Sequence, residues 1–128
     1  MRIDHIGLWA IDLERVRRFY EVYFGAIAGT KYTNPTKGFE SYFLAFPGSN
    51  VRLEVMHVPA LREQSSDSPT RGFAHLAIAV GSEDAVDALA MRLRADGYAV
   101  VDGPRRTGDG YYECVVLDPE GNRVEITV

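Results

Sequence analysis

Two histidines and two glutamates occupy matching places in the two halves of this chain. His5 precedes His75 by 70 residues, and Glu54 precedes Glu125 by 71 residues. Imidazole and carboxylate groups transfer protons near neutral pH and bind divalent metal ions. A lone histidine on a strand is more often a hydrogen-bonded structural residue. The recurrence of both groups instead favours a shared chemical role.

The segments around these residues predict the same order of elements twice, namely a strand, a helix and three strands. The first half has predicted strands over 2–11, 26–33, 39–46 and 51–58, with a helix capped by Asp12 and ended by Gly25. The second half has predicted strands over 72–81, 98–102, 110–118 and 122–128, with a helix capped by Ser82 and ended by Gly97. The histidines lie in the first predicted strand of each half, and the glutamates lie in the last.

Side-chain alternation places the four residues on one face of each predicted sheet. In the strands that carry them, the apolar residues point the opposite way, as Ile6/Leu8, Leu53/Val55, Leu76/Ile78 and Val124/Ile126. We expect the helices to cover the apolar face. The other face then carries two imidazoles and two carboxylates into a shared concave surface.

Composition excludes several classes of protein. With 128 residues, of which 46% are hydrophobic and 25% charged, the chain predicts one globular domain with its own core. The net charge of −4 argues against nucleic acid as a partner, because phosphate binding requires a basic face. No uncharged apolar stretch reaches the ~18 residues of a membrane span. A single cysteine, Cys114, and an N-terminus without a signal-peptide pattern predict a cytoplasmic location.

Residues 59–71 interrupt the strand and helix patterns. They are polar, contain two prolines and have no apolar period. This composition predicts a surface linker that joins modules 1–58 and 72–128 of a single domain spanning 1–128.

Other residues near the predicted strands have simpler interpretations. His57, at a strand end, is expected to be an exposed tip, and Asp4 is expected to be a surface charge. Cys114 is expected to be a small buried hydrophobe. The Arg105-Arg106 pair is expected in a loop, where it either stays solvated or holds an anionic group of a substrate. Trp9 shares the face of the first histidine and serves either as a pocket wall or as plain packing.

At these positions the sequence resembles the vicinal oxygen chelate superfamily, the family of glyoxalase I, bleomycin resistance proteins and related dioxygenases. The resemblance covers nearly the whole chain. It combines the repeat, the order of elements and the motif formed by the last turn and last strand. The matching segments are His5-Ile6-Gly7-Leu8, Arg52-Leu53-Glu54-Val55, Gly72-Phe73-Ala74-His75-Leu76-Ala77 and Asp118-Pro119-Glu120-Gly121-Asn122-Arg123-Val124-Glu125. The resemblance implies an α+β fold of two βαβββ modules whose mixed sheets form a cleft.

The resemblance also implies a set of metal ligands, namely His5, Glu54, His75 and Glu125. Two imidazoles and two carboxylates suit a divalent transition metal such as nickel, zinc, cobalt, manganese or iron. Such a metal acts as a Lewis acid on a substrate with two neighbouring oxygens. Glu125 or Glu54 is then the base that removes a proton to form an enediolate, and both assignments stay open. On a solvated face, Glu125 could instead pair with Arg123 or Arg52.

The implied activity is that of a glyoxalase I-like lyase or isomerase acting on a small molecule, and a homodimer is the usual assembly of relatives. Trp9 stands where bacterial glyoxalase I usually has an arginine that helps to hold the glutathione carboxylate. Met56-His57-Val58 stand where an asparagine is expected. These departures argue against glutathione as the thiol. Two alternatives remain, a non-catalytic protein that binds a drug or metabolite and a metal-dependent transferase or dioxygenase of the same fold.

Overall fold

A computed structural model describes residues 1–62 and 72–128. The chain forms two compact units, Met1–Ser65 and Ser66–Val128. Residues 63–71, most of the predicted linker over 59–71, lie outside the described residues. The linker and the module bounds 1–58 and 72–128 therefore stay predictions. Within the described ranges, no helix is long and apolar enough to cross a membrane.

The first unit is a mixed sheet with one helix. Its elements are β1 (His5–Trp9), α1 (Leu13–Phe24), β2 (Ile27–Ala28), β3 (Tyr32–Asn34), β4 (Phe39–Ala45) and β5 (Arg52–His57). The strand order is β1-β5-β4-β2, and β3 also pairs with β4. β1 runs parallel to β5, and the other pairs are antiparallel. The parallel pairing brings the first and last strands of the unit side by side.

The second unit has the predicted order of one strand, one helix and three strands. Its elements are β6 (Leu76–Ala79), α2 (Glu83–Ala95), β7 (Val100–Arg106), β8 (Tyr112–Leu117) and β9 (Arg123–Thr127). The strand order is β6-β9-β8-β7, with β6 parallel to β9. His75 lies immediately before β6 rather than inside it, so the predicted strand over 72–81 is too long at its start.

Both predicted N-caps are confirmed. The Asp12 carboxylate accepts a hydrogen bond from the Arg15 backbone N–H at 2.9 Å, and the Ser82 hydroxyl accepts one from the Ala85 backbone N–H at 3.2 Å. Gly25 ends α1 in the left-handed conformation, with a φ of 64° that favours glycine. These caps satisfy backbone groups that a helix end leaves without intrahelical partners.

Two predicted strands differ from the observed ones for reasons of pairing. The predicted strand over 26–33 is divided into β2 and β3. Ala28 pairs with Leu44 and Tyr32 pairs with Ser41. The chain therefore advances four residues from β2 to β3 while β4 advances three. Such an extra residue interrupts a ladder as a bulge does.

The predicted strand over 98–102 instead runs from Val100 to Arg106, with register shifts along its pairing with β8. Pro104 is tolerated there because β7 lies at the edge of its sheet. Arg105 and Arg106 therefore lie in a strand, and the prediction that they lie in a loop is wrong.

Each helix packs on the apolar face of its own sheet. In the first unit Leu53 and Val55 are buried against α1, and in the second Val124 and Ile126 are buried beneath α2. Ile6 is exposed, although the alternation predicts it in the apolar stripe. β1 is an edge strand in the described part of the sheet, and Leu8, two residues further along it, is half-buried. The strands that carry the two glutamates have neighbours on both sides, and their apolar residues are the buried ones.

Candidate functional site

The first unit brings His5 and Glu54 together. Gly7 of β1 pairs with Glu54 of β5, and His5 points to the same face as Gly7 because it is two residues away. The His5 Nε2 atom lies 3.7 Å from the Glu54 Oε2 atom. The Glu54 side chain is 16% exposed and the His5 side chain 41% exposed. A ligand in solution can therefore reach the imidazole, while the carboxylate is held within the sheet.

The other nitrogen of His5 is bonded to Asp4. His5 Nδ1 lies 3.0 Å from Asp4 Oδ2, and Arg52 Nη2 lies 2.5 Å from the same oxygen. The hydrogen bonds from His5 and Arg52 lower the pKa of the Asp4 carboxyl, so it is ionised and accepts both bonds. His5 Nδ1 therefore donates to this carboxylate, and Nε2 on the other side of the ring faces Glu54. Asp4 is an exposed charge, as predicted, and it also bonds to His5 and Arg52.

Aromatic side chains lie beside this pair. The rings of His5 and Phe43 meet edge to face with centroids 5.2 Å apart, and the Arg52 guanidinium lies 4.3 Å from the centroid of Phe43. Trp9, which points to the same face as His5, packs edge to face on Phe39 at 6.5 Å. Trp9 is 49% exposed, so the aromatic surface continues from the packed strands to solvent.

Gly7 leaves room for one further apolar side chain on this face. A Cβ atom at Gly7 would lie 2.8 Å from Met56 Cε, closer than a side chain allows. Any larger residue at this position would have to displace the methionine next to Glu54.

The second unit brings His75 and Glu125 together in a similar way. Glu125 of β9 pairs with Ala77 of β6, and His75 precedes Ala77 by two residues. His75 Nε2 lies 3.4 Å from Glu125 Oε2. The side-chain exposures, 42% for His75 and 16% for Glu125, match those of the first pair. Each unit therefore supplies one exposed imidazole next to one largely buried carboxylate.

Glu113, which is not among the residues predicted from the sequence, lies on β8 next to Glu125. Burial raises the pKa of the Glu113 carboxyl, and the charge of Glu125 raises it further. Arg105 Nη2 lies 3.9 Å from Glu113 and 2.6 Å from Asp102, so it partly offsets this negative charge. The alternation in the predicted strand over 110–118 fixes the face of Glu113 only once Val115 is known to pair with Glu125. That register is set by the pairing of β8 with β9 and cannot be read from the local sequence.

The structure does not gather more than two of the four predicted ligands within either unit. Across residues 1–62 and 72–128, no group of three or more histidine, cysteine, aspartate or glutamate side chains is arranged to hold a metal ion. The assignment of His5, Glu54, His75 and Glu125 as ligands thus stays a proposal, supported in each unit by one His–Glu pair.

Two other candidates have structural roles. His57 is half-buried and donates a hydrogen bond from Nδ1 to the Ala10 carbonyl oxygen at 2.9 Å, so the prediction of an exposed tip is wrong. Cys114 is buried, as expected, and burial raises the pKa of its thiol to about 11. A thiol that stays protonated at neutral pH is a poor nucleophile. Neither residue competes with the His–Glu pairs as a site of chemistry.

Comparison with known proteins assigns the family. Over residues 2–126 the sequence matches the Glyoxalase/Bleomycin resistance protein/Dioxygenase superfamily. The chain belongs to this superfamily. Its α+β fold, with two mixed sheets and few helices, is the fold that the resemblance implies, and that prediction is confirmed.

Two curated relatives resemble nearly the whole chain. One is the Pseudomonas aeruginosa protein named "Uncharacterized protein PA2024", 31% identical over 128 residues that cover 98% of this chain and 86% of the relative. The other is "Virulence protein STM3117" of Salmonella typhimurium, 31% identical over 129 residues that cover 98% of this chain and 83% of the relative. Neither name states a reaction.

The fold also matches solved structures of glyoxalases. A variant of glyoxalase I from Zea mays has a TM-score of 0.81 and 24% identity to this chain. The match covers 98% of this chain but only 44% of the maize chain, so this chain spans less than half of that protein's length. At this level of identity the likeness shows the fold alone.

Proposed function

We propose that this protein is a divalent-metal-dependent lyase or isomerase of the glyoxalase I type, acting on a small substrate with two neighbouring oxygens. His5, Glu54, His75 and Glu125 are the proposed metal ligands. One observation carries the proposal, namely that both units pair an imidazole nitrogen with a carboxylate oxygen, at 3.7 Å and 3.4 Å. Two such pairs are the donor set that superfamily membership leads one to look for.

The chemistry of the donors fits a dication. With Nδ1 hydrogen-bonded to Asp4, His5 presents Nε2 to a ligand, and Glu54 Oε2 lies 3.7 Å from that nitrogen. An imidazole nitrogen and a carboxylate oxygen at this distance can both bind one divalent cation. Two glutamates also balance the charge of a divalent ion. Nickel, zinc, cobalt, manganese and iron all suit this set, which either one chain or two chains of a homodimer can supply.

The proposed reaction removes a proton next to a substrate carbonyl and returns one, by way of an enediolate. A bound divalent cation would supply Lewis-acid polarisation of the substrate oxygens. Glu54 or Glu125 takes the proton, since a carboxylate at a substrate's reacting carbon is a general base. Trp9 and Phe39 supply an aromatic surface on the His5 face rather than a cation for a glutathione carboxylate. Glutathione is therefore not the proposed thiol.

A second function is favoured by the same aromatic surface. Trp9 and Tyr32 are about half exposed and both contact Phe39. Such a surface suits a protein that binds a drug or metabolite without changing it. The two functions differ in their need for metal, because sequestration does not require all four proposed ligands.

Elemental analysis of the purified protein tests the proposal first. We expect about one nickel, zinc, cobalt, manganese or iron per site by mass spectrometry, without added metal. His75→Ala and Glu125→Ala should each lose that metal while keeping the circular dichroism spectrum of the parent. His57→Asn is the matched control, since an asparagine amide can still donate to the Ala10 carbonyl. A parent that neither contains nor can be loaded with metal would leave the binding function as the better account.

Light scattering tests the proposed homodimer separately. The chain has a mass of 14.2 kDa, so a dimer should scatter as a species of twice that mass at micromolar concentration. A single species at the mass of one chain would reject the dimer without bearing on the metal ligands. A cytoplasmic location stays a prediction, supported by the free thiol of Cys114.

A further inference from the structure

We infer that Asp4, held by Arg52, is a positioning residue that fixes the tautomer and ring orientation of His5 for metal binding. The inference rests on the proposed function, because it assigns His5 as a ligand. It goes further by making the two histidines unequal. His5 is a preorganised ligand, whereas His75 has no such carboxylate partner on its Nδ1 side within the described residues.

The contacts of Asp4 tie it to the strand that carries Glu54. Its Oδ2 atom accepts hydrogen bonds from His5 Nδ1 at 3.0 Å and from Arg52 Nη2 at 2.5 Å. Its backbone carbonyl accepts a bond from the Arg52 backbone N–H at 3.1 Å. Arg52 precedes Glu54 by two residues on β5, so both side chains point to the same face. Through Asp4 and Arg52, the His5 imidazole is thereby tied to β5, the strand that carries the Glu54 carboxylate.

Phe43 restricts the same ring from a second direction. Its ring meets His5 edge to face at 5.2 Å, and the Arg52 guanidinium lies over Phe43 at 4.3 Å. Arg52 therefore contacts both partners of the His5 ring. A histidine ligand whose second nitrogen donates to a carboxylate keeps one tautomer and one orientation, and loss of such a partner commonly weakens metal binding.

The second unit lacks this arrangement in the part of the chain that is described. The residue before His75 is Ala74, which has no carboxylate. The carboxylate found near His75 is that of Glu125, on the Nε2 side of the ring. Within residues 1–62 and 72–128, no hydrogen bond of His75 Nδ1 fixes its tautomer. The two proposed half-sites therefore have the same types of ligand, one histidine and one glutamate each. They differ in the residues that hold the histidine in place.

The test compares Asp4→Ala and Asp4→Asn with the parent protein. Nitrogen-15 nuclear magnetic resonance of the metal-free protein at pH 8 reads the His5 tautomer directly. Titration calorimetry with Zn²⁺ reads the affinity. Asp4→Ala should lower Zn²⁺ affinity by about 10- to 100-fold and let the His5 tautomers mix. Asp4→Asn should lower it less, because the amide oxygen still accepts the Nδ1 proton.

Arg2→Ala is the matched control. Arg2 contacts the other oxygen of Asp4 at 3.4 Å and its side chain is 72% exposed. Its removal should leave the Zn²⁺ affinity within about twofold, as expected for an exposed ion pair. This control separates the loss of a nearby charge from the loss of the support that Asp4 gives to His5.

The outcomes distinguish this inference from the proposed function. Equal Zn²⁺ affinity in Asp4→Ala and the parent would overturn the inference. So would a loss of affinity with an unchanged His5 tautomer, because Asp4 would then act only through its charge. A parent that binds neither Zn²⁺ nor nickel, cobalt, manganese or iron would overturn the proposed function, and the tautomer measurement would still decide whether Asp4 orients His5. Asp4→Asn keeps the test valid even if the alanine variant does not fold.

Discussion

The two units carry the same pair of side chains, but they hold the histidine differently. His5 is bonded through Nδ1 to Asp4 and lies against the ring of Phe43. His75 lies just before its strand and follows Ala74, which offers no such bond. The repeat therefore places a histidine at the same position in both units. The residues around each histidine decide how firmly its ring is oriented.

The glutamates differ in the same sense. Glu54 pairs across the sheet with Phe43, an aromatic residue, whereas Glu125 pairs with Val115 and has the acidic Glu113 beside it. One carboxylate thus has an aromatic neighbour and the other has a second carboxyl group. A repeated strand can hold a similar side chain in two electrostatic environments, since adjacent strands supply the neighbours.

The largest expected effect is that of removing either histidine. His5→Ala should lower Zn²⁺ affinity by about 1000-fold and His75→Ala by about 100-fold, because among the described residues only His5 has a carboxylate partner that preorganises its ring. Titration calorimetry at fixed pH measures both. Equal losses in the two variants would show that the difference in support has no consequence for binding, and no loss in either would break the comparison altogether.

A second prediction compares the two hydrophobic cores. Leu53→Ala and Ile126→Ala should each lower the free energy of unfolding by about 3 kcal/mol, since both residues are buried. Urea titration can follow Trp9 fluorescence in the first unit and Cys114 thiol reactivity in the second. Ile27→Ala, at an exposed position, is the control and should change the free energy by less than about 0.5 kcal/mol.

The two probes extend that comparison to cooperativity. If the chain unfolds in one step, each core variant should shift the fluorescence and thiol transitions to the same urea concentration. Transitions that separate would show that each unit has its own stability. A core variant that shifts neither transition would contradict the assignment of its residue to a core.

The smallest expected effects concern the helix caps. Asp12→Ala and Ser82→Ala should each lower the free energy of unfolding by about 1 kcal/mol, because each removes the acceptor for a backbone N–H. Asp12→Asn and Ser82→Thr keep an acceptor, so their free energies of unfolding should differ from that of the parent by only a few tenths of the loss in the alanine variants. A cap variant as destabilising as Leu53→Ala would indicate a further role for that side chain.

Much of the fold follows from local pattern. The caps at Asp12 and Ser82 and the burial of Leu53 and Val124 depend on spacing that can be counted along the chain. The division of β2 from β3 cannot be predicted from such spacing, because it arises from one extra residue in the chain opposite β4. The length of β7 likewise depends on its pairing with β8, which accepts a proline at the sheet edge.

The sequence alone determined which side chains recur in the two halves and on which face of their strands they lie. His5, Glu54, His75 and Glu125 stand out because residue type and strand parity are properties of the chain itself. Only the tertiary structure decided that Asp4 bonds to Arg52, 48 residues away, and that Glu113 lies beside Glu125. The physical reason is that these neighbours meet through strand pairing. Register, rather than local spacing, sets the hydrogen bonds and charges around each repeated side chain.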